Sequence, residues 1–108
     1  MNKVILSGKV FNHPETTTFG NGLEKTVFTL AVDRYKSKED REEAKRKNRN
    51  IVDFIKCEAW GNLSNIAKSY VKKGENLMLI GKLNLESYQK DDGSWITYTS
   101  IIAEELEF

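Results

Sequence analysis

Apolar and polar residues alternate with a period of two along several stretches of this chain, the spacing of half-buried strands. Over residues 2–11, Val4, Leu6 and Val10 fall on one side, with Lys3, Ser7 and Lys9 on the other. Over residues 26–33, Phe28, Leu30 and Val32 share a side. Residues 51–61 alternate most clearly, with Ile55, Cys57 and Ala59 set against Phe54, Lys56, Glu58 and Trp60. Residues 75–88 carry Leu77, Leu79, Leu83 and Leu85, and a last strand runs over residues 95–108. Between these two, Asp91-Asp92-Gly93-Ser94 has hairpin-turn chemistry. His13-Pro14 and Gly20-Asn21-Gly22 mark turns earlier in the chain.

Two segments break the period. Leu63, Ile66, Ala67, Tyr70 and Val71 keep helical spacing. Asn62 is placed to cap that helix, Lys72 and Lys73 suit its C-terminal dipole, and Gly74 suits its end. Residues 36–50 hold one apolar residue, Ala44, and so predict a solvated loop or a loosely helical arm. The order is three strands, a helix and two strands. It predicts an all-β fold with one helix: a five-stranded OB-fold barrel with the helix between the third and fourth strands. Other five-stranded barrels fit the same pattern.

Composition narrows the class. The 108 residues read as one domain over 1–108, with no internal repeat and no linker. No apolar run reaches membrane-spanning length, and no signal-peptide cleavage site follows MNKVILSG, so no membrane partner is expected. The single cysteine has no internal partner, which fits a cytoplasmic location. Net charge is +1, but it is unevenly spread: about +6 over residues 1–82 and −5 over residues 83–108. One His and one Cys cannot build a zinc site, no nucleotide-binding fingerprint is present, and Cys57 alternates with core positions. No cofactor, no metal and no catalysis are expected.

The outward side of the third strand is the informative one. Phe54, Lys56 and Trp60 put two rings and a cation where a solvent face should be polar. Bases stacked on the rings, with a cation on phosphate, explain that choice. Packing against a subunit or loop explains it as well. Tyr88 and Lys82 repeat the ring-plus-cation arrangement on the fourth strand, and Arg34, Tyr35 and Lys36 repeat it where the second strand enters the charged arm. Lys3, Lys9 and Lys72 are further candidate phosphate contacts. Trp95 suits packing across the hairpin.

NKVILSGKV at the start, FTLAVDR at 28–34, DFIKCEAWGNL at 53–63, YVKKG at 70–74 and GKL at 81–83 together resemble the bacterial and phage single-stranded DNA-binding protein family. The resemblance covers nearly the whole chain in order. It implies an OB-fold, usually a homotetramer, that coats and protects single strands during replication, recombination and repair without metal or nucleotide. Weak binding of RNA as a second ligand is an expectation as well, since stacking does not read the 2′-OH. The family's stacking rings match Phe54, Trp60 and Tyr88, and its basic contact on the third strand matches Lys56. A fourth ring falls near Lys36, with Tyr35 adjacent. There are departures: Asn62 stands where the family commonly has lysine, and the arm at 36–50 is longer. The family's linker and acidic tip do not follow Phe108, which leaves docking of replication and repair proteins open. The rival reading is an OB-fold adaptor whose rings meet protein.

Overall fold

Along the chain run β1 (Val4–Val10), β2 (Glu15–Thr18), β3 (Glu24–Asp33), α1 (Lys38–Arg46), β4 (Val52–Trp60), α2 (Asn62–Tyr70), β5 (Asn76–Gln89) and β6 (Trp95–Glu107). The computed structural model describes all 108 residues. The protein is mostly β, with its six strands in one sheet of order β1-β5-β6-β4-β3-β2. β1 also pairs with β3, at Lys9 with Ala31 and Val10 with Leu30, so the pairings return to their starting strand. Only the β4–β6 pairing is parallel.

The expected five strands and one helix become six strands and two helices. The added strand, β2, is the all-polar ETTT, exposed throughout. It has no apolar alternation to read. It exists because it pairs in register with β3 from Glu24 to Val27. The Thr16 hydroxyl also lies 2.8 Å from that of Thr26. The added helix, α1, lies in the charged segment. Ser37 Oγ accepts from the Asp40 N–H at 3.1 Å, Glu39 and Asp40 occupy the first turn, and Lys45 and Arg46 the last. These are the side chains that suit the two ends of a helix dipole. Two i,i+4 ion pairs run along it, Glu43–Lys47 at 2.9 Å and Lys38–Glu42 at 4.0 Å. Ala44 is its one buried side chain.

α2 is the expected helix, between β4 and β5, but its cap differs. Asn62 is its first residue, and the cap position is Gly61, at φ 61° with no side-chain cap bond. The chain leaves β4 through a conformation that glycine adopts readily, so the helix starts without a side-chain cap. Its apolar stripe is buried only in part: Ala67 and Val71 are enclosed, while Ile66 and Tyr70 are exposed. The contact that docks it is polar. The buried Ser64 hydroxyl lies 2.7 Å from the buried Thr26 hydroxyl of β3. Paired in this way, neither group is left unsatisfied in the core.

The inward sides of β1, β3, β4, β5 and β6 meet in one core with Ala67 and Val71. Phe28, Leu30, Cys57 and Leu79 have no exposed surface there. Burying a side chain such as Phe28 or Leu79 contributes about 1.5–3 kcal/mol. Two close approaches let the strands meet. A Cβ at Gly8 would fall 2.3 Å from the Ala31 carbonyl oxygen, and one at Gly81 would fall 2.3 Å from that of Ile102. Glycine is therefore required where β1 crosses β3 and where β5 bends against β6. At that bend the register shifts by one residue, so that Ala103 and Leu106 of β6 both face inward.

Candidate functional site

The outward side of β4 continues over three neighbouring strands. In the β3–β4 ladder, Lys25 lies opposite Trp60, Val27 opposite Glu58, Thr29 opposite Lys56 and Ala31 opposite Phe54. Glu58 is opposite Ile102 of β6, which is opposite Lys82 of β5. Further along the β5–β6 ribbon, Asn84 faces Ser100, Glu86 faces Tyr98 and Tyr88 faces Ile96. Phe54, Lys56, Trp60, Lys82 and Tyr88 thus share one curved surface.

Each of the three rings has a second ring beside it. Trp60 is half-buried and stacks on Phe19, with centroids 5.7 Å apart and planes 8° from parallel. Lys25 Nζ sits 5.2 Å from the Trp60 centroid and 5.8 Å from that of Phe19, a cation over both rings. Phe54 is exposed and meets Phe11 edge-on at 4.7 Å. Tyr88 is exposed, with Tyr98 5.9 Å away. Phe11, Phe19, Lys25 and Tyr98 are additions to the sequence reading. Phe11 and Lys25 carry a legible signal, since each keeps the outward parity of its strand. Phe19 carries none, because its position depends on β2.

Glu58 departs from its expected place among the solvent-facing residues. It is on the outward side but buried at 6% exposure. Lys25 Nζ lies 3.5 Å from its carboxylate, and the Ser100 hydroxyl donates to it at 3.0 Å. A buried charge needs such partners, and here they come from both flanking strands. The contacts continue as a chain. The Asn84 amide donates to Ser100 Oγ and to Glu86, each at 3.4 Å, and the Tyr88 hydroxyl donates to Glu86 at 2.5 Å. The Tyr88 hydroxyl and the Asn84 amide hold the Glu86 carboxyl below its ordinary range, with help from the charges of Lys56 and Lys25. The Glu86 carboxylate in turn raises the Tyr88 hydroxyl. One line of polar side chains therefore links the Trp60 end of the surface to the Tyr88 end.

The candidate cations divide into two groups. Arg34 is engaged by Asp53 at 2.7 Å, which raises its guanidinium further, and Lys3 lies 3.6 Å from Glu104. Lys9, Lys56, Lys72 and Lys82 are exposed and make no ion pair. Lys72 lies in the turn after α2, outside the ring-bearing strands. Tyr35 is half-buried in a groove of about 1100 Å³ beside β1, with Lys9, Lys36 and Arg41 among its walls. Cys57 is fully enclosed, and burial pushes its thiol up to about 12. No three His, Cys, Asp or Glu side chains converge into a metal-binding group.

Comparison with known proteins gives this surface a context. The sequence model of the Single-strand binding protein family matches residues 1–108. The chain belongs to the single-strand binding protein family. It is 38% identical to Single-stranded DNA-binding protein 3 of Clostridium acetobutylicum, over 100% of this chain and 70% of that protein. It is 35% identical to the Single-stranded DNA-binding protein of Clostridium tetani, with the same coverage. Against the Bacillus cereus protein of that name, identity is 32% over 100% of this chain and 59% of the relative. In a single-strand binding protein, rings set outward on a curved sheet with unpaired lysines between them are what sequence-tolerant stacking requires. No helix of this member is long and apolar enough to cross a membrane.

Proposed function

We propose that this chain binds single-stranded DNA over the outward side of β3, β4 and the β5–β6 ribbon, with little sequence preference and no catalytic step. Phe54, Trp60 and Tyr88 stack bases, while Lys56 and Lys82 hold phosphate. The observation that carries this is the placement of those rings on one surface with an unpaired lysine between Phe54 and Trp60. Stacking suits all bases because each has a π-face, and the lysines add a term that salt weakens. The ring of strand pairings supports reading the fold as an OB-fold barrel, with β2 as an added edge strand. Coating strands in the cytoplasm during replication, recombination and repair is the role that such binding serves.

The test is a gel-shift series with unstructured single strands and with duplex of the same length, at several salt concentrations. Tight binding to the single strand, with log affinity falling linearly in log salt and little duplex binding, is the expected result. Equal affinity for both, or none for either, would favour the adaptor reading. Assembly is part of the proposal. Residues 4–8 of β1 pair with β5 on one edge and have no partner on the other, and Ile5 is exposed beside that edge. An open edge of this kind pairs readily with a second copy. Sedimentation at micromolar concentration should give a mass above the monomer.

A further inference from the structure

Most of the polar groups on the proposed strand-binding surface are donors or cations, which suits a polyanion. Two carboxylates are the exceptions: Glu58 is buried and engaged by Lys25 and Ser100, which leaves Glu86 as the exposed one. It stands exposed on β5, between Asn84 and Tyr88 on the outward side, with two carboxylate oxygens that can only accept. Its neighbours use part of that capacity. Tyr88 donates to Oε2, and Asn84 donates to Oε1 over a long 3.4 Å. Each oxygen keeps a free lone-pair site. The Tyr88 hydroxyl points back at the carboxylate, so the ring and the acceptor lie side by side on one strand. A base stacked on the Tyr88 ring and extending past its hydroxyl would meet the carboxylate with its hydrogen-bonding edge.

An acceptor-only partner does not treat the four bases alike. Guanine alone carries two adjacent donors on its Watson–Crick edge, N1–H and the N2 amino group, and these match the two oxygens of a carboxylate. Thymine offers one N–H flanked by two carbonyl oxygens. Cytosine and adenine each set an acceptor ring nitrogen beside their amino group. A negative charge so close to the strand also repels phosphate, so without a compensating contact it only weakens binding. We infer that Glu86 is a specificity-determining residue that makes the Tyr88 platform prefer guanine, on a surface otherwise tolerant of sequence. This rests on the strand-binding reading above and adds a preference at one of its three rings.

The test compares an oligo(dT) strand with strands of equal length in which every third base is guanine or hypoxanthine, the latter lacking the N2 amino group. The intact protein is titrated at fixed salt with each. Two-donor recognition of a base edge discriminates by about fivefold or more. The wild-type chain should bind the guanine strand tighter than oligo(dT) by about that factor, with the hypoxanthine strand between them. Glu86→Leu should bring the three strands together and raise affinity for oligo(dT), because a negative charge leaves the surface. Glu86→Gln keeps one acceptor oxygen and should give an intermediate preference, which guards against a folding defect in the leucine variant. Two outcomes overturn the inference while leaving strand binding intact: wild type that binds oligo(dT) but shows no guanine preference, or a preference that survives in both variants. Failure to bind any of the strands overturns the strand-binding reading itself.

Discussion

The two faces of β4 are made from alternating residues of one nine-residue strand, yet they answer to different constraints. On the inward face, Cys57 and Ala59 have no exposed surface. On the outward face, Phe54 is 60% exposed and Lys56 has no ion-pair partner. An inward side chain is tied to the stability of the fold, and an outward one to what the surface meets. The ends of the outward face differ as well. Trp60 stacks on Phe19 with Lys25 Nζ close to both rings, whereas Phe54 has only the edge of Phe11 beside it. A ring already stacked on one side is preorganised for a base on the other, and removing it takes packing away too.

The largest effect is expected on the inward face. Phe28 lies opposite Cys57 in the ladder and is fully enclosed. Phe28→Ala should lower stability by about 3–5 kcal/mol, read by denaturant melts. The fraction that remains folded should bind oligo(dT) as wild type does. A large loss of affinity in that folded fraction would mean the two faces are not separable.

Outward substitutions should invert that pattern. Base–ring stacking in single-strand binders of this kind is generally worth about 1–3 kcal/mol per base, so Trp60→Ala and Phe54→Ala should each weaken oligo(dT) binding by about tenfold. They should part company in thermal melts. Trp60→Ala also loses its stacked contact with Phe19, worth about 0.5–1.5 kcal/mol beyond buried area, so its melting point should fall further than that of Phe54→Ala. Equal melting points would show that Phe19 does not support the ring.

How much of this was legible in the sequence follows the same division. Most inward positions were legible because alternation traces burial: Phe28, Leu30, Cys57, Leu77 and Leu79 lie where the period of two puts them, whereas Leu83 and Leu85 keep the same alternation on β5 but are exposed. The outward rings were legible by contrast, as aromatics standing where polar residues belong. What escaped was set by partners remote in sequence. β2 has no apolar pattern and depends on β3. The Thr26–Ser64 contact joins residues 38 apart in the chain. The burial of Glu58 follows from Lys25 and Ser100, which lie on strands that flank it in space. α1 was ambiguous because its net apolar content is one alanine, and its end residues settle what burial does not.

A smaller effect tests the arm against the sheet. Of its late cations, Lys47 is tied to Glu43, while Lys45, Arg46 and Arg49 make no ion pair. If the arm closes over the strand, replacing Lys45, Arg46, Lys47 and Arg49 by serine should flatten the slope of log affinity against log salt by about 1–2 units. The melting point should barely move, since nothing apolar is removed. An unchanged slope would reduce the arm to a connector and confine binding to the sheet. The smallest effect concerns Cys57. With its thiol raised to about 12, the thiolate is scarce at pH 8. A thiol reagent should leave the native protein unmodified at that pH and react in denaturant. Rapid native reaction would show that the inward face opens.

The central claim is that Trp60 stacks on a single strand. Trp95 is the other tryptophan and is exposed on the hairpin, so Trp95→Phe leaves Trp60 as the only indole reporter. Titrating that variant with oligo(dT) at low salt and following tryptophan emission tests the claim directly. The account predicts strong, saturable quenching that is much weaker with duplex of the same length and is absent when Trp95 is kept and Trp60 is replaced by phenylalanine. Binding that saturates by gel shift while Trp60 emission stays unchanged would contradict it.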